Sequence, residues 1–329
     1  MNNQSGPTNK KKSKLMLFIL WGTIIFLLGY IAVLQMRHVF CHAQYEYITG
    51  ECTDLVIDKK GYVELKDSLL KYLDAEKSAG RLYTSSVYFR DLNRGPVMGI
   101  NETDLYSSAS LLKLPIVLGI LRIAESDATI LDTILINEQD DPDKIDQFFV
   151  PEKEAQNNVS YTVRELIFYA LAYSDNTAIQ MLKEFIEIKG GEENRLELTL
   201  NELGLILPDE LMDQDVSTRG YASLFRLLYN ASYLNPEYSE MVLKIMTQSN
   251  FNLGIRSGVP EGIEISHKFG ERFLEDSKQL HDCGIVYFPE NPYLLCVMTM
   301  GKDFQELENV ISTVSKMVYE EVDSRRLDK

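Results

Sequence analysis

The chain has 329 residues, 45% hydrophobic and 25% charged, which is enough for a substantial core in one large domain or two small ones. Its net charge is −16, and residues 1–40 carry five basic and no acidic side chains, so the remainder is more acidic still. A domain of that charge is a poor match for nucleic acid, which is not expected as a partner.

Four cysteines without C-x-x-C spacing and four histidines without H-E-x-x-H give no metal site, and no cofactor is expected. Cys41 with Cys52, or Cys283 with Cys296, can form disulfides outside the cytosol. Buried free thiols are the alternative for the second pair.

Residues 1–14 are polar and end in Lys10-Lys-Lys-Ser-Lys14. Leu15 to Leu34 is twenty residues without a charge, the length that crosses a bilayer as a helix. The lysines keep residues 1–14 in the cytoplasm. The expectation is therefore a single-pass protein of the cell membrane, held through residues 15–34, with 35–60 as a stalk and 61–329 as an extracytoplasmic domain. A cleaved signal peptide is the competing reading, but its apolar region is ordinarily shorter, about 7–15 residues. His38, three residues before Cys41, speaks against a lipoprotein.

Leu65, Leu69 and Leu73 recur at helical spacing, and Gly80 can end that helix. Ser85 to Leu92 and Val97 to Ile100 are predicted strands around the turn Asn93-Arg-Gly-Pro96, with Val87 and Phe89 on one face. Leu105 to Leu121 is apolar enough for a buried helix starting near Ala109 or Ser110, and Pro115 fits its first turn. That apolar stretch nevertheless carries a hydroxyl, Ser110, and an amine, Lys113. Positions i and i+3 share a helix face. A buried lysine is desolvated, so its pKa falls and it can act as a base. A serine is a weak nucleophile until its proton is taken, and unpaired N–H groups at a helix N-terminus surround this one. Ser110 and Lys113 are therefore the first candidate catalytic residues.

Residues 122–260 are expected to be mainly helical. The acidic loop Glu138 to Glu154 reads as solvated surface. Thr162, three before Glu165, makes a capping-box pattern that opens a helix running to Ala172. Ser174-Asp175-Asn176 then breaks an apolar run between two helices. Capping is the ordinary role of such residues. Glu184 to Leu203 is a helix interrupted at Gly190-Gly191, Leu205 to Asp215 a short acidic loop, and Thr218 to Tyr233 and Glu237 to Gln248 amphipathic helices. Strands follow at Ile263 to Gly270, His281 to Phe288 and Tyr293 to Met300, the last two forming a hairpin around Pro289-Glu-Asn-Pro292. Leu307, Ile311, Val314 and Val318 make one face of a C-terminal helix. The expected class is α+β: an antiparallel five-stranded sheet with N- and C-terminal helices, built from residues 61–121 and 261–325. An all-helical lobe, residues 122–260, is inserted in it.

Ser110-x-x-Lys113, Ser174-Asp175-Asn176 and Lys268-Phe269-Gly270, in that order, resemble the penicillin-recognising serine hydrolases. The flanking Tyr161-Thr-Val-Arg-Glu-Leu, Ser174-Asp-Asn-Thr-Ala178 and Asp282-x-Gly284-Ile-Val are similar to class A β-lactamases. The resemblance covers residues 60–325 and implies a β-lactamase/transpeptidase-like fold. It implies that Ser110 attacks an amide carbonyl, that Lys113 helps take its proton, and that Ser174 passes a proton to the leaving nitrogen. By the same resemblance Asn176 holds the substrate or Lys113, and Lys268 supplies positive charge. The backbone N–H groups of Ser110 and of Glu271, just after Gly270, would form the oxyanion hole. Gly270 would leave the strand edge open for substrate.

Two departures stand out. Phe269 replaces the hydroxyl residue of the third motif, which helps bind a substrate carboxylate; His267 can compensate, although packing is the more ordinary role of a strand histidine. No E-x-x-L-N supplies the deacylating glutamate, for which Glu210 is the best candidate, with Asp209 and Asp213 behind it. The expected activity is acylation of Ser110 by a β-lactam or related amide, followed by hydrolysis, as in β-lactam catabolism and antibiotic resistance. The alternatives are a D-Ala-D-Ala peptidase or penicillin-binding-protein-like enzyme acting on peptidoglycan stem peptides with slow deacylation, and a catalytically silent binding domain.

Overall fold

The computed structural model describes residues 16, 20–30, 45–48, 62–93, 95–137, 147–190, 195–205 and 215–327. The chain divides into an N-terminal unit, residues 1–46 with 50–53, and a main unit, residues 47–49 with 54–329. Residues 20–30 are helical and exposed. Among the described residues no helix is long and apolar enough to cross a membrane. Residues 15, 17–19 and 31–34 of the expected span lie outside the described residues, as do the stalk residues 35–44, Cys41 and Cys52.

The main unit opens with helix α1, Val63–Ser78, which buries Leu65, Leu69 and Leu73 along one stripe. Leu70 and Tyr72 pack partly against the same core, and full burial of each of the three leucines contributes about 2 kcal/mol. The helix stops where Gly80 takes φ +72°, a left-handed turn in which Gly80 N–H reaches Lys77 O and Arg81 N–H reaches Glu76 O. Strand β1, Leu82–Asp91, starts earlier than its alternation suggests, because Leu82 and Thr84 already pair with the last strand across a register shift. Strand β2, Val97–Ile100, turns back on it. A short strand β3, Leu105–Ser107, leads through a 3-10 turn, Ala109–Leu112, into helix α2, Lys113–Ala124. The expected helix start thus resolves into two parts: a tight 3-10 turn carrying Ser110, and an α-helix whose first residue is Lys113.

The inserted lobe follows; it is mainly helical but not all-helical, because three short strands lie within it. Strands β4, Ile134–Ile136, and β5, Ser160–Thr162, form a small hairpin-like pair. Helix α3, Val163–Ala172, begins with the expected capping box between Thr162 and Glu165. Helices α4, Asn176–Gly190, and α5, Arg195–Glu202, come next. Strand β6, Asp215–Ser217, pairs with β3, and helices α6, Thr218–Tyr229, and α7, Pro236–Met246, complete the lobe. Residues 206–214, and with them Glu210, Asp209 and Asp213, lie outside the described residues.

The chain then returns to the sheet through β7, Ile265–Phe273, β8, Lys278–Val286, and β9, Tyr293–Gly301, and ends in helix α8, Phe304–Leu327. The five-stranded sheet has the order β2-β1-β9-β8-β7, antiparallel throughout, so both ends of the domain build one sheet, and among the described residues β2 and β7 are its edges. Apolar side chains fill both of its faces. One core lies against α1 and α8 and contains Leu69, Phe89, Phe269, Leu307, Ile311, Val314 and Val318. The other lies against the helical lobe and contains Leu111, Leu114, Ile120, Leu166 and Phe225. Cys283 and Cys296 stand opposite each other on β8 and β9 and are joined as a disulfide, closing the question that spacing left open.

Candidate active site

Three stretches far apart in sequence meet where the sheet edge faces the helical lobe. The 3-10 turn brings Ser110, the first residue of α2 brings Lys113, the α3–α4 junction brings Ser174 and Asn176, and β7 brings Lys268. Lys113 Nζ lies 3.0 Å from Ser110 Oγ, 3.1 Å from Ser174 Oγ, 2.5 Å from Ser174 O and 2.7 Å from Asn176 Oδ1. Lys268 Nζ donates to Ser174 Oγ at 2.8 Å and to Phe269 O at 3.0 Å. The Ser174 hydroxyl therefore sits between two amines, one of which also touches the Ser110 hydroxyl.

Local backbone strain aims these groups. Ala109, immediately before Ser110, has φ +46°, and Ser174 has φ +56°. A residue with a side chain held in this region costs on the order of 1 kcal/mol or more, so surrounding contacts must enforce it. At Ser174 the enforcement comes from Asp175. Its buried carboxylate accepts from the N–H groups of Ala155 at 2.8 Å, Thr177 at 3.0 Å and Ala178 at 3.2 Å, tying the junction to the start of α4. Near Ala109, Tyr221 donates its hydroxyl hydrogen to Leu111 O at 2.9 Å. Strand β3 is fixed from the sheet: Ser107 N–H reaches Gln279 Oε1, and His281 Nε2 lies 3.1 Å from Ser107 O. Burial pushes the His281 ring down to about 4, so it is neutral and its Nε2–H donates to that carbonyl. The Asp175 bonds are local, as expected of an acidic residue at an interhelix break, whereas the Tyr221, Gln279 and His281 supports were not legible in sequence, because each joins residues more than one hundred positions apart.

Burial also sets the charge on the amines. Desolvation lowers Lys113 to about 7, against the opposing pull of the Asp175 and Glu271 charges. Lys268 is held well below an ordinary lysine by burial first and by Lys113 second. A neutral lysine has two N–H donors and one lone pair. For Lys113 the acceptors Ser174 O and Asn176 Oδ1 take the two donors, which turns the lone pair toward the Ser110 hydroxyl. That arrangement can remove the serine proton.

The β7 register fixes what the sheet edge offers. Glu264 O accepts from Tyr287 N–H and Leu274 N–H donates to Ser277 O, so even-numbered residues of β7 bond to β8. Odd-numbered ones point their N–H and C=O outward, which is why Phe269 O is free for Lys268 and why the Glu271 N–H faces the open edge. Gly270 lies against the turn carrying Ser110: a Cβ there would come 3.1 Å from Leu111 Cγ and 3.2 Å from Leu111 N. The Ser110 and Glu271 N–H groups thus belong to backbone segments in van der Waals contact.

Some expectations need correction. His267 does not replace the missing hydroxyl. Its Nδ1 lies 2.9 Å from Asp282 Oδ1, both residues are buried, and Asp282 also accepts from Ile255 N–H. Its role is structural. Phe269 turns its ring to the α8 side of the sheet, where it stacks on Phe251 with centroids 4.1 Å apart. Of the loop Glu138 to Glu154, residues 138–146 lie outside the described residues, and residues 147–154 are not simply solvated surface. Phe149 packs edge-on against Phe251, Phe269 and Phe304. The Glu271 carboxylate accepts from Phe148 N–H at 3.1 Å and Phe149 N–H at 3.2 Å. Among the described residues no cluster of histidine, cysteine, aspartate and glutamate could hold a metal ion.

Solved structures with the same arrangement of elements include PBP-A, at 21% identity and TM-score 0.66, covering 82% of this chain and 99% of that one. The TLA-3 extended-spectrum beta-lactamase superposes at 18% identity and TM-score 0.68, covering 80% and 99%. A class A beta-lactamase from Mycobacterium abscessus does so at 20% identity and TM-score 0.66, covering 79% and 99%. At these identities the likeness is one of fold. No curated protein matches the chain in sequence. The profile described as the Beta-lactamase enzyme family matches residues 65–322, most of the main unit and all of the residues assembled at the sheet edge, so the chain belongs to that family.

Proposed function

We propose that the protein is a membrane-anchored, extracytoplasmic serine hydrolase that is acylated at Ser110 by a β-lactam or a related amide and then hydrolysed. The observation that carries this reading is the Lys113 amine, 3.0 Å from the Ser110 hydroxyl, with acceptors on its other side. Lys113 takes the Ser110 proton as Oγ bonds to the carbonyl carbon. The developing oxyanion is met by the N–H groups of Ser110 and Glu271. The C–N bond then breaks, and the proton on Lys113 passes through Ser174 Oγ to the departing nitrogen. Water cleaves the resulting ester, with Glu210 as the candidate base. Residues 15–34 serve as the anchor and the lysines before them keep that end in the cytoplasm, which leaves the enzyme positioned to destroy β-lactams outside the cell membrane.

A second reading is a penicillin-binding-protein-like enzyme acting on peptidoglycan stem peptides, in which the acyl-enzyme persists. It is favoured by the fold likeness to PBP-A, a point mutant of which was solved as an acyl-enzyme complex with penicillin G. A time course of intact mass after addition of a reporter penicillin separates the two. An adduct that appears and decays with release of the opened product supports the hydrolase, and an adduct that persists supports the second reading. No adduct at any concentration leaves a silent binding domain.

A further inference from the structure

The edge of the cleft carries a negative charge where the chemistry of acylation does not require one. Glu271 supplies an N–H to the open side of β7, and its carboxylate is fixed two ways: Phe148 N–H and Phe149 N–H both donate to it. Its charge reaches Lys113 and Lys268, both of which it pulls upward. The neighbouring cation does not offset it for an incoming ligand. Lys268 is buried, is engaged with Ser174 Oγ and Phe269 O, and lies 4.5 Å from the centroid of the Phe269 ring. Phe269 itself brings no hydroxyl: its ring stacks on Phe251 and borders the Lys268 amine. Beyond Glu271 the rim carries the exposed apolar side chains Phe148, Val150, Phe273 and Leu274 beside the half-buried Arg272.

We infer that Glu271 and Phe269 set the charge class of the substrate. The cleft takes acyl donors that are neutral or cationic beside the scissile bond, in preference to donors bearing a carboxylate there. The inference rests on acylation of Ser110, as proposed above. A carboxylate laid along β7 would meet the Glu271 charge without a free lysine donor or hydroxyl to receive it. A neutral ester or amide, or an amine-bearing peptide, would meet backbone N–H groups, the aromatic rim and a carboxylate that does not repel it.

The test is the second-order rate constant for acylation of the full chain by penicillin G and by its uncharged methyl ester, read from intact mass. The ester is expected to react faster than the acid, by on the order of tenfold, the effect of one unit charge a few residues away in a partly screened site. Glu271→Gln should shrink that ratio toward unity by raising the rate with the acid. Phe269→Thr, which returns a hydroxyl to the strand, should shrink it as well. A wild-type preference for the acid, or a ratio unchanged in both variants, overturns the charge assignment while leaving acylation intact. If neither compound labels the protein, or if labelling survives Ser110→Ala, the acylation reading falls and the assignment falls with it.

Discussion

Raising the pH should switch the nucleophile on, and Lys113 sets where. Its amine is depressed by burial to about 7. A depressed lysine is neutral above its pKa and charged below it, so the base is present above pH 7 and lost as the pH falls. With Lys113 as the single titrating base, the acylation rate at pH 5 is about 1% of the plateau reached above pH 8, falling tenfold per unit below 7. The assay is the initial rate of adduct formation on the full chain, with stability checked at each pH. Two variants sharpen it. Asp175 pulls Lys113 upward, so Asp175→Asn should move the midpoint to lower pH while keeping a hydrogen-bonding side chain. Lys113→Arg leaves a permanent cation that cannot accept a proton and should lower the rate by about 10²- to 10⁴-fold at every pH. An acylation rate that is flat from pH 5 to 8, or that falls as the pH rises, would refute Lys113 as the base.

Three further outcomes follow from the support around the site. Asp175→Ala strips the acceptor from three N–H groups; urea unfolding should show a loss of about 2–4 kcal/mol, part of the cost being offset by removing a buried carboxylate. Ala109→Gly removes a side chain from a φ of +46° and should raise unfolding stability by about 0.5–1 kcal/mol instead of lowering it. Gly270→Ala puts a methyl 3.1 Å from Leu111 Cγ and 3.2 Å from Leu111 N; because that turn carries Ser110, the acylation rate should fall at least about tenfold with only a few degrees lost in melting temperature.

What the sequence made legible was what depends on neighbours a few residues away. Ser110 and Lys113 are one helical turn apart. The Thr162–Glu165 box is closed within its own first turn, and the stripes of Leu65 to Leu73 and Leu307 to Val318 need only a period. The order of three short motifs then carried the fold. What remained hidden depends on pairing across the chain. Nothing near Phe148 or Phe149 announces a carboxylate more than one hundred residues later. His267 reads as a spare polar group on its strand, until β8 places Asp282 beside it. Phe269 looks like a defect in a motif, until Phe251 and Phe149 arrive to make it part of a core. The cysteines at 283 and 296 became a pair only through the β8–β9 register.

The central claim is that the Ser110 oxygen, activated by Lys113, becomes covalently bonded to a ring-opened amide. Peptide mapping by tandem mass spectrometry after brief exposure to a penicillin tests it directly. The account predicts the whole penicillin mass on Ser110 and an unmodified Ser174. Modification of another residue, or an unmodified Ser110 peptide under saturating reagent, would contradict it.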